Sequence, residues 1–174
     1  MTERTLSSCD PGSIVTIGSR EYIVLEHYNG GTCVITRDSV TRMRYGNNSD
    51  YETSDVRRYC NDIFYNELAA VVGVEHIFKQ AISLMADDGS GKDKHVEDYI
   101  GLITLGRYRK YSDFLCTHNE AWWTATRKSY RRDDWAVGVC CVSSLGIPGW
   151  NGSSWNGNGV RPFCYLDSSI LVFV

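Results

Sequence analysis

The feature that most constrains this chain is the contrast between the two ends of residues 122–174 and the stretch between them. The segment opens with Trp-Trp-Thr-Ala-Thr at 122–126 and closes with Gly-Val-Arg-Pro-Phe-Cys at 159–164. The stretch between these runs is rich in Arg, Asp, Ser, Gly, Asn and Trp, a composition that suits recognition loops carried on a sheet. We therefore expect the two runs to be framework and the stretch between them to bind something.

The length of the chain, 174 residues, is typical of one domain and allows a sizeable core. We predict a single domain over 1–174, with 1–121 as scaffold and 122–174 carrying the surface. No signal peptide and no stretch of membrane-spanning length is recognisable. These features predict synthesis in the cytoplasm without membrane insertion. They leave open the oligomeric state, and whether the protein ends on a virion, on a cell surface or in the cytosol.

The seven cysteines indicate reduced thiols and give no sign of a metal or redox site. Their number is odd, their spacing is irregular, and no Cys-x-x-Cys pair occurs. Most are expected to be small buried apolar groups in a protein made in a reducing compartment. We therefore predict no metal and no cofactor.

Secondary structure in the first half of the chain is predicted from apolar periodicity. Alternation predicts a three-stranded meander over residues 13–18, 21–28 and 32–37, with turns between the strands. Residues 1–12 are predicted to be frayed and residues 39–53 to form a loop. Spacing at i, i+3 and i+4 predicts an amphipathic helix from Asp55 to about Val71, capped by Ser54 and ended by Gly73.

The second half of the chain alternates between strands and irregular segments. Residues 87–91 are predicted to be a loop, 92–97 a mobile charged segment and 145–159 a loop or irregular hairpin. A second helix is predicted over 105–115, with Tyr108, Tyr111, Phe114 and Leu115 on one side. Strands are predicted at 77–86, 99–103, 121–126, 135–142 and 160–166, followed by an apolar end at 170–174. The sequence thus predicts an α+β fold with short antiparallel strands, two main helices, a loop-rich C-terminal region and both termini in one sheet.

Residues with catalytic potential do not form a recognisable site. His118 lies near Cys116 and Glu120, but a Cys/His nucleophile requires a pairing in space that this spacing does not establish. The loop at 87–93 resembles a calcium loop but lacks the glutamate that would close it, since residue 98 is Asp. The basic stretch 127–132 is followed by Asp133 and Asp134, and the net charge is −3, so nucleic acid is not an expected partner.

The stretch between the framework runs has the chemistry of an antibody-like binding surface, with aromatic anchors among small polar residues. Two Trp-Asn-Gly units, at 150–152 and 155–157, place two indoles in a segment too polar to bury both. We predict that at least one indole is exposed. The predicted contact residues are Arg127, Tyr130, Arg131, Arg132, Asp133, Asp134, Trp135, Ser143, Ser144, Leu145, Ile147, Trp150, Asn151, Ser153, Ser154, Trp155, Asn156 and Asn158.

The framework itself is predicted to consist of Trp122, Trp123, Arg161 and Pro162. Arg161, between Val160 and Pro162, is expected to donate hydrogen bonds to loop carbonyls. The two tryptophans are adjacent and are expected to divide between the core and a position near the surface.

The two framework runs resemble those of the variable proteins of diversity-generating retroelements, in the form found in gut bacteria and their phages. The helix start at 54–57 and the strand at 98–104 are similar to the same group. The resemblance implies a C-type-lectin-like fold. It also implies that a reverse transcriptase copies a template with errors at adenines, and that the copy replaces the 3′ end of the gene. The varied side chains would then bind a protein or a surface ligand.

The departures from related families restrict what the fold would do. The Glu-Pro-Asn and Trp-Asn-Asp signatures of calcium-dependent sugar binding are absent, because both Trp-Asn units continue with Gly. An alternative is an enzyme on the same fold, similar to formylglycine-generating enzymes, but Cys140 and Cys141 are neighbours that would face opposite ways in a strand. Another alternative is a structural module of a phage tail or cell surface. The expected function is non-enzymatic ligand binding through a hypervariable surface.

Overall fold

The computed structural model describes residues 2–131 and 138–174. Among these residues the fold is mixed α+β, made mostly of strands with one main helix. The strands in chain order are β1 (Glu3–Thr5), β2 (Ile14–Ile17), β3 (Arg20–Tyr28), β4 (Gly31–Thr36), β5 (Thr41–Arg42), β6 (Ile77–Phe78), β7 (Gln80–Ser83), β8 (His95–Asp98), β9 (Ile100–Leu102), β10 (Trp122–Arg127), β11 (Val139–Val142), β12 (Pro148–Asn151), β13 (Gly159–Val160), β14 (Pro162–Asp167) and β15 (Leu171–Phe173).

The main helix runs without a break over residues 55–72. It consists of α1 (Asp55–Arg58), a π-helical segment (Tyr59–Phe64) and α2 (Tyr65–Val72). The Ser54 hydroxyl accepts a hydrogen bond from the Arg57 N–H at 3.1 Å, and Gly73 ends the helix with a φ of 91°. The buried side chains recur every four residues at Val56, Cys60, Phe64 and Leu68, and the wider π turn keeps this spacing on one face. The predicted helix and its cap are therefore confirmed.

The larger sheet joins both ends of the chain. Its eight described strands follow the order β1-β15-β2-β3-β4-β14-β6, and β9 also pairs with β14, beyond the end of β6. The predicted meander is confirmed as β2, β3 and β4. Strand β1 pairs with β15 in antiparallel fashion, Arg4 opposite Val172, which confirms that the termini meet in one sheet.

The second sheet is built almost entirely from the C-terminal segment. Its described strands follow the order β12-β11-β10-β13-β5. All pairings are antiparallel except β10 with β13, which run parallel with Trp122 opposite Gly159. The two predicted framework runs are therefore neighbouring strands, although the prediction of antiparallel strands did not include a parallel pair. A third pairing joins β7 to β8.

Several local predictions are wrong because of pairing that only the folded chain provides. Residues 1–12 were expected to be frayed, yet β1 pairs with β15, and Leu6 and Cys9 are buried. The charged segment 92–97 contains most of β8, which is held by β7. By contrast, residues 145–159 were predicted to be a loop or irregular hairpin, and they contain β12, which forms a hairpin with β11. Residues 135–137 of the predicted strand 135–142 lie outside the described residues.

The expectation of two main helices is also wrong. Residues 105–115 form two short helices, α3 (Leu105–Lys110) and α4 (Ser112–Leu115), separated by a change of backbone angles at Tyr111. The break turns Phe114 toward solvent, whereas Tyr108, Tyr111 and Leu115 are buried as expected. Among the described residues, no helix is long and apolar enough to cross a membrane.

Candidate functional site

The floor of the candidate site is strand β10, which is covered on both faces. Trp123 donates from Nε1 to the Met43 carbonyl at 2.9 Å, and its ring packs edge-on against Tyr45 at 5.4 Å. Trp122 packs edge-on against Tyr108 of α3 at 5.7 Å. Both indoles have no exposed surface, so the prediction that one lies near the surface is wrong. Adjacent side chains in a strand point to opposite faces, and other residues pack on both faces of β10.

Arg161 holds the two framework runs together. Its side chain is buried, its Nε donates to the Thr36 carbonyl at 3.1 Å, and its guanidinium lies 4.7 Å from the centroid of the Trp122 ring. Burial lowers the pKa of Arg161 to about 10. The acceptor is a carbonyl at the end of strand β4, where a loop carbonyl was expected. Pro162, also buried, begins β14 opposite Leu102.

The segment 127–131 is supported by the loop that follows β7. The Asp87 N–H donates to the Arg127 carbonyl at 3.0 Å, and the Tyr130 N–H donates to the Ser90 hydroxyl at 2.8 Å. The Ser129 hydroxyl donates to the Asp88 carboxylate at 2.6 Å, and this bond, with those from Ser90, lowers the pKa of Asp88 to about 2. The supporting role of Asp88 and Ser90 was missed, because the sequence shows only a polar loop there.

Cations lie over the aromatic rings of this region. The Arg127 guanidinium is 4.1 Å and the Lys94 ammonium 4.6 Å from the centroid of the Tyr130 ring. Arg131 is exposed, with its Nε 3.7 Å from an Asp88 carboxylate oxygen. Four further predicted contact residues, Arg132, Asp133, Asp134 and Trp135, lie outside the described residues.

The turn between β11 and β12 presents two large apolar side chains to solvent. The Ser143 N–H donates to the Ile147 carbonyl at 2.9 Å, and Gly146 has a φ of 76°, which favours glycine. The Tyr108 hydroxyl donates to the Gly146 carbonyl at 2.6 Å and anchors the turn to α3. Leu145 is 76% exposed and Ile147 is 61% exposed. Ser144 is exposed beside them, and Ser143 is half-buried.

Both indoles of the Trp-Asn-Gly units are exposed, which confirms the prediction that at least one of them is. Trp150 is 52% exposed and Trp155 is 55% exposed. The Lys128 ammonium lies 4.4 Å from the centroid of the Trp150 ring. A Cβ at Gly138 would lie 2.4 Å from the same ring, so only glycine allows the indole to lie against the strand. The indole is thus held in place on one side while the other side faces solvent.

The polar residues around these indoles divide between surface and interior. Ser154 and Asn156 are exposed, and Ser153 is half-buried, with its carbonyl accepting from the Tyr45 N–H at 2.9 Å. Asn151 donates from Nδ2 to the Asn158 amide oxygen at 3.0 Å. Asn158 is only 1% exposed, so it supports the loop from within and is not a contact residue in this structure.

Together these residues form a long strip along the edge of the second sheet. We call residues 127–131, 143–147 and 150–156 the contact strip. Lys128 brings the first part against Trp150, whereas Leu145 and Ile147 lie at the other end of the hairpin, about 13 Å away along four strand residues. The strip is therefore elongated, with cations over the rings of Tyr130 and Trp150 at one end and the apolar side chains of Leu145 and Ile147 at the other.

His118, the catalytic candidate named from the sequence, is buried and lies against the backbone. The His118 side chain is 5% exposed and its Nδ1 lies 3.1 Å from the Glu120 carbonyl oxygen. Burial, followed by the charge of Arg161, lowers the pKa of His118. Within residues 2–131 and 138–174, no group of three or more His, Cys, Asp or Glu side chains is placed to hold a metal ion.

Comparisons with protein-family models, curated proteins and solved structures gave no match to this chain.

Proposed function

We propose that this protein binds a protein or cell-surface ligand through the contact strip, and that a retroelement diversifies the exposed residues of that strip. The observation that carries the proposal is the exposure of Leu145, Ile147, Trp150 and Trp155 on one hairpin and the loop after it. Exposed groups of this size that lie near one another are a mark of protein-binding surfaces. Tryptophan in particular is enriched among the residues that dominate binding energy.

The framework beneath the strip supports the second part of the proposal. Trp122, Trp123, Val160 and Arg161 are buried. The hydrogen bonds of Trp123 and Arg161 go to the carbonyls of Met43 and Thr36, which both lie outside the strip. Replacement of exposed residues on the strip would therefore leave these contacts in place. Surface substitutions remote from buried features usually change stability by less than about 0.5 kcal/mol. A surface of this kind tolerates the variation that a diversifying mechanism would introduce.

The C-type-lectin-like fold is part of the same proposal. It rests on the resemblance of residues 122–126 and 159–164 to the framework of retroelement variable proteins. In the structure these two runs lie side by side, with Trp122 opposite Gly159. Two other functions, an enzyme on the same fold and a structural module of a phage tail or cell surface, have no specific observation in their favour among the described residues.

The proposal is tested by sequencing the DNA beside the gene and the 3′ end of the gene in a population that carries it. We expect a reverse-transcriptase gene and a near-copy of the 3′ end that differs from it at adenines. Substitutions should fall in codons of exposed strip residues such as Trp150 and Ser154. Codons 122–126 and 159–164, and as an internal control codons 1–121, should not vary. Equal variation in the control codons, or no adenine-dependent copy, would contradict diversification.

Ligand binding is tested separately from diversification. Once a partner is identified by crosslinking from the strip, Trp150→Ala and Trp155→Ala should each weaken binding by about tenfold or more. Tyr99→Ala is a matched control, because Tyr99 is an exposed aromatic residue outside the strip. Equal effects of the three variants would argue against the strip as the contact surface.

A further inference from the structure

A second candidate site lies on the larger sheet and shares no residue with the contact strip. A cavity of about 320 Å³ opens between the β3–β4 turn, strands β6 and β7, and helix α3. Its lining includes Tyr28, Phe78, Lys79, Gln80, Arg107 and Tyr165. The volume is at the lower end of the range for small-molecule pockets, so an occupant would have on the order of 10–15 non-hydrogen atoms.

The Arg107 guanidinium in this cavity is held in a fixed position by a carboxylate, a hydroxyl and two aromatic rings. Arg107 donates from Nη2 to the Glu26 carboxylate at 2.9 Å and to the Tyr165 hydroxyl, which itself donates to Glu26. The guanidinium carbon also lies 5.2 Å from the Phe163 ring centroid and 5.4 Å from that of Tyr165. A guanidinium fixed in this way loses little conformational freedom when a ligand binds.

The charges around Glu26 leave a positive excess beside the cavity. The Glu26 carboxylate also accepts a hydrogen bond from Lys110 at 2.7 Å, so one anion serves two cations. Lys79 lines the same cavity, and its ammonium is 3.4 Å from the exposed Glu97 carboxylate. An exposed ion pair of this type gives little stabilisation and does not prevent Lys79 from attracting an anion.

The remaining donors of Arg107 are available to a ligand. Among the described residues, no acceptor pairs with its Nε or Nη1, and the side chain is 28% exposed. Each of these two N–H groups can donate a single hydrogen bond to an oxygen of an anionic ligand, and such charge-assisted bonds are stronger than neutral ones. Gln80 adds a further polar group, since its amide nitrogen and oxygen are both buried without a partner in the described chain. A polar atom of a ligand would supply that partner after a small movement of the side chain.

The aromatic side chains around the cavity indicate the other half of the ligand. The Tyr28 ring is 68% exposed at one wall, and Phe78 is half-buried at another, where it packs on Gly31. Flat faces of this type pack favourably against an aromatic ring. From the unpaired Nε and Nη1 donors of Arg107, the positive excess and these walls, we propose that the cavity binds a small aromatic carboxylate.

The proposal is tested by titrating the full-length protein with benzoate and following the amide resonances by NMR. We expect saturable shifts confined to residues around the cavity, such as Tyr28, Gln80 and Tyr165, with a Kd of about 1 mM or tighter. Benzamide, which has the same shape without the charge, should bind at least about tenfold more weakly. Acetate, which has the charge but lacks the ring, should also bind at least about tenfold more weakly than benzoate. Equal binding of benzamide or acetate, or no saturable shift with benzoate, would overturn the proposal.

Substitutions test whether benzoate binds in the cavity or elsewhere on the surface. Tyr28→Ala should weaken benzoate binding about fivefold and leave the fold intact, because the ring is largely exposed. Tyr99→Ala, another exposed tyrosine outside the cavity lining, is the matched control and should bind as the wild type does. Arg107→Gln should abolish binding. If that variant does not fold, the Tyr28 and Tyr99 variants still decide the matter, and equal affinities for these two would overturn the proposal.

Two further probes test whether the natural carboxylate belongs to a free small molecule or to the C-terminus of a polypeptide. N-acetyl-tyrosine represents a free small molecule, and a tetrapeptide ending in tyrosine represents the C-terminus of a polypeptide. Tighter binding of either supports the site and identifies its natural class of ligand. Failure of both, with benzoate also unbound, would overturn it without affecting the proposed function of the contact strip.

Discussion

The guanidinium of Arg161 lies over the indole of Trp122, with the two groups 4.7 Å apart and both side chains buried. Trp122 belongs to β10, and Arg161 lies between β13 and β14, so this contact joins the two framework runs across their parallel pairing. Because the Arg161 Nε also binds the Thr36 carbonyl, the same side chain connects the second sheet to strand β4 of the larger sheet.

Replacement of Arg161 by Lys should destabilise the protein by about 2–4 kcal/mol. A lysine cannot keep both the stacked contact and the Nε hydrogen bond, and it would leave a more strongly hydrated charge buried. The measurement is urea-induced unfolding. Arg131→Lys is the matched control on an exposed arginine and should change the free energy of unfolding by less than about 0.5 kcal/mol. Similar values for the two variants would mean that Arg161 is not part of the framework.

Glu26 should make stability fall in acid. Burial alone would raise its pKa, but hydrogen bonds from Lys110 and Tyr165 and the charge of Arg107 outweigh burial and lower the pKa from 4.5 to about 2. The folded pKa is below the unfolded one, so the contribution is complete above about pH 4.5 and is lost as the pH falls toward 2. Its size is on the order of 3 kcal/mol, for a side chain that is 23% exposed.

The check is the urea midpoint of the wild type and of Glu26→Gln across this pH range. The variant should be less stable at neutral pH, because Arg107 loses its anion, and should lose less stability between pH 4.5 and pH 2. Parallel curves for the two proteins would show that Glu26 is not responsible for the slope.

His118 should make the stability of the protein depend on pH in a second, higher pH range than Glu26 does. Its pKa lies below 6.5, because burial and then the charge of Arg161 disfavour the protonated ring, while Asp38 and Glu120 oppose the shift without reversing it. The folded state binds fewer protons, so the contribution is complete above the unfolded pKa and is lost as the pH falls below it. Thermal melts between pH 7 and pH 5 should show a smaller decline for His118→Gln. His95→Gln, at an exposed position, should keep the wild-type decline.

Replacement of a buried tryptophan should reduce stability much more than replacement of an exposed one. Trp122→Ala should cost about 3–5 kcal/mol, because it removes a fully buried indole from the core. Trp150→Ala and Trp155→Ala should each cost less than about 1 kcal/mol, since more than half of each ring surface is in solvent. Chemical unfolding followed by circular dichroism measures all three. A large loss for Trp155→Ala would mean that this indole serves the fold.

The thiols should react unequally with a disulfide reagent. Cys116 is exposed, whereas the other six cysteines are buried and unpaired. Burial raises the pKa of Cys33 and of Cys140 to about 12, which keeps them protonated at neutral pH. The native protein should therefore release one equivalent of chromophore rapidly and seven in denaturant. Cys116→Ser should remove the rapid phase, and a remaining rapid phase would place another thiol at the surface.

Local patterns were sufficient for the elements that depend on near neighbours along the chain. The meander β2–β4 and the helix over 55–72 were predicted because alternation, a serine cap and a terminal glycine act within a few residues. The exposure of at least one of Trp150 and Trp155 was also predicted, because the residues around them are too polar to form a core, and both are exposed. Local patterns were not sufficient where a partner from elsewhere in the chain decides the outcome, as for β1 and β8.

The sequence by itself determined the division of the C-terminal segment into framework and exposed stretch, since composition alone separates buried from solvated chain. The tertiary structure alone decided which residues serve which role. It buried both Trp122 and Trp123, because β10 is covered on each face, and it buried Asn158 against Asn151. It also placed Asp88 and Ser90 beneath residues 127–131, a contact across about 40 residues of chain. Burial and long-range hydrogen bonds depend on what packs from elsewhere, and no local pattern carries that information.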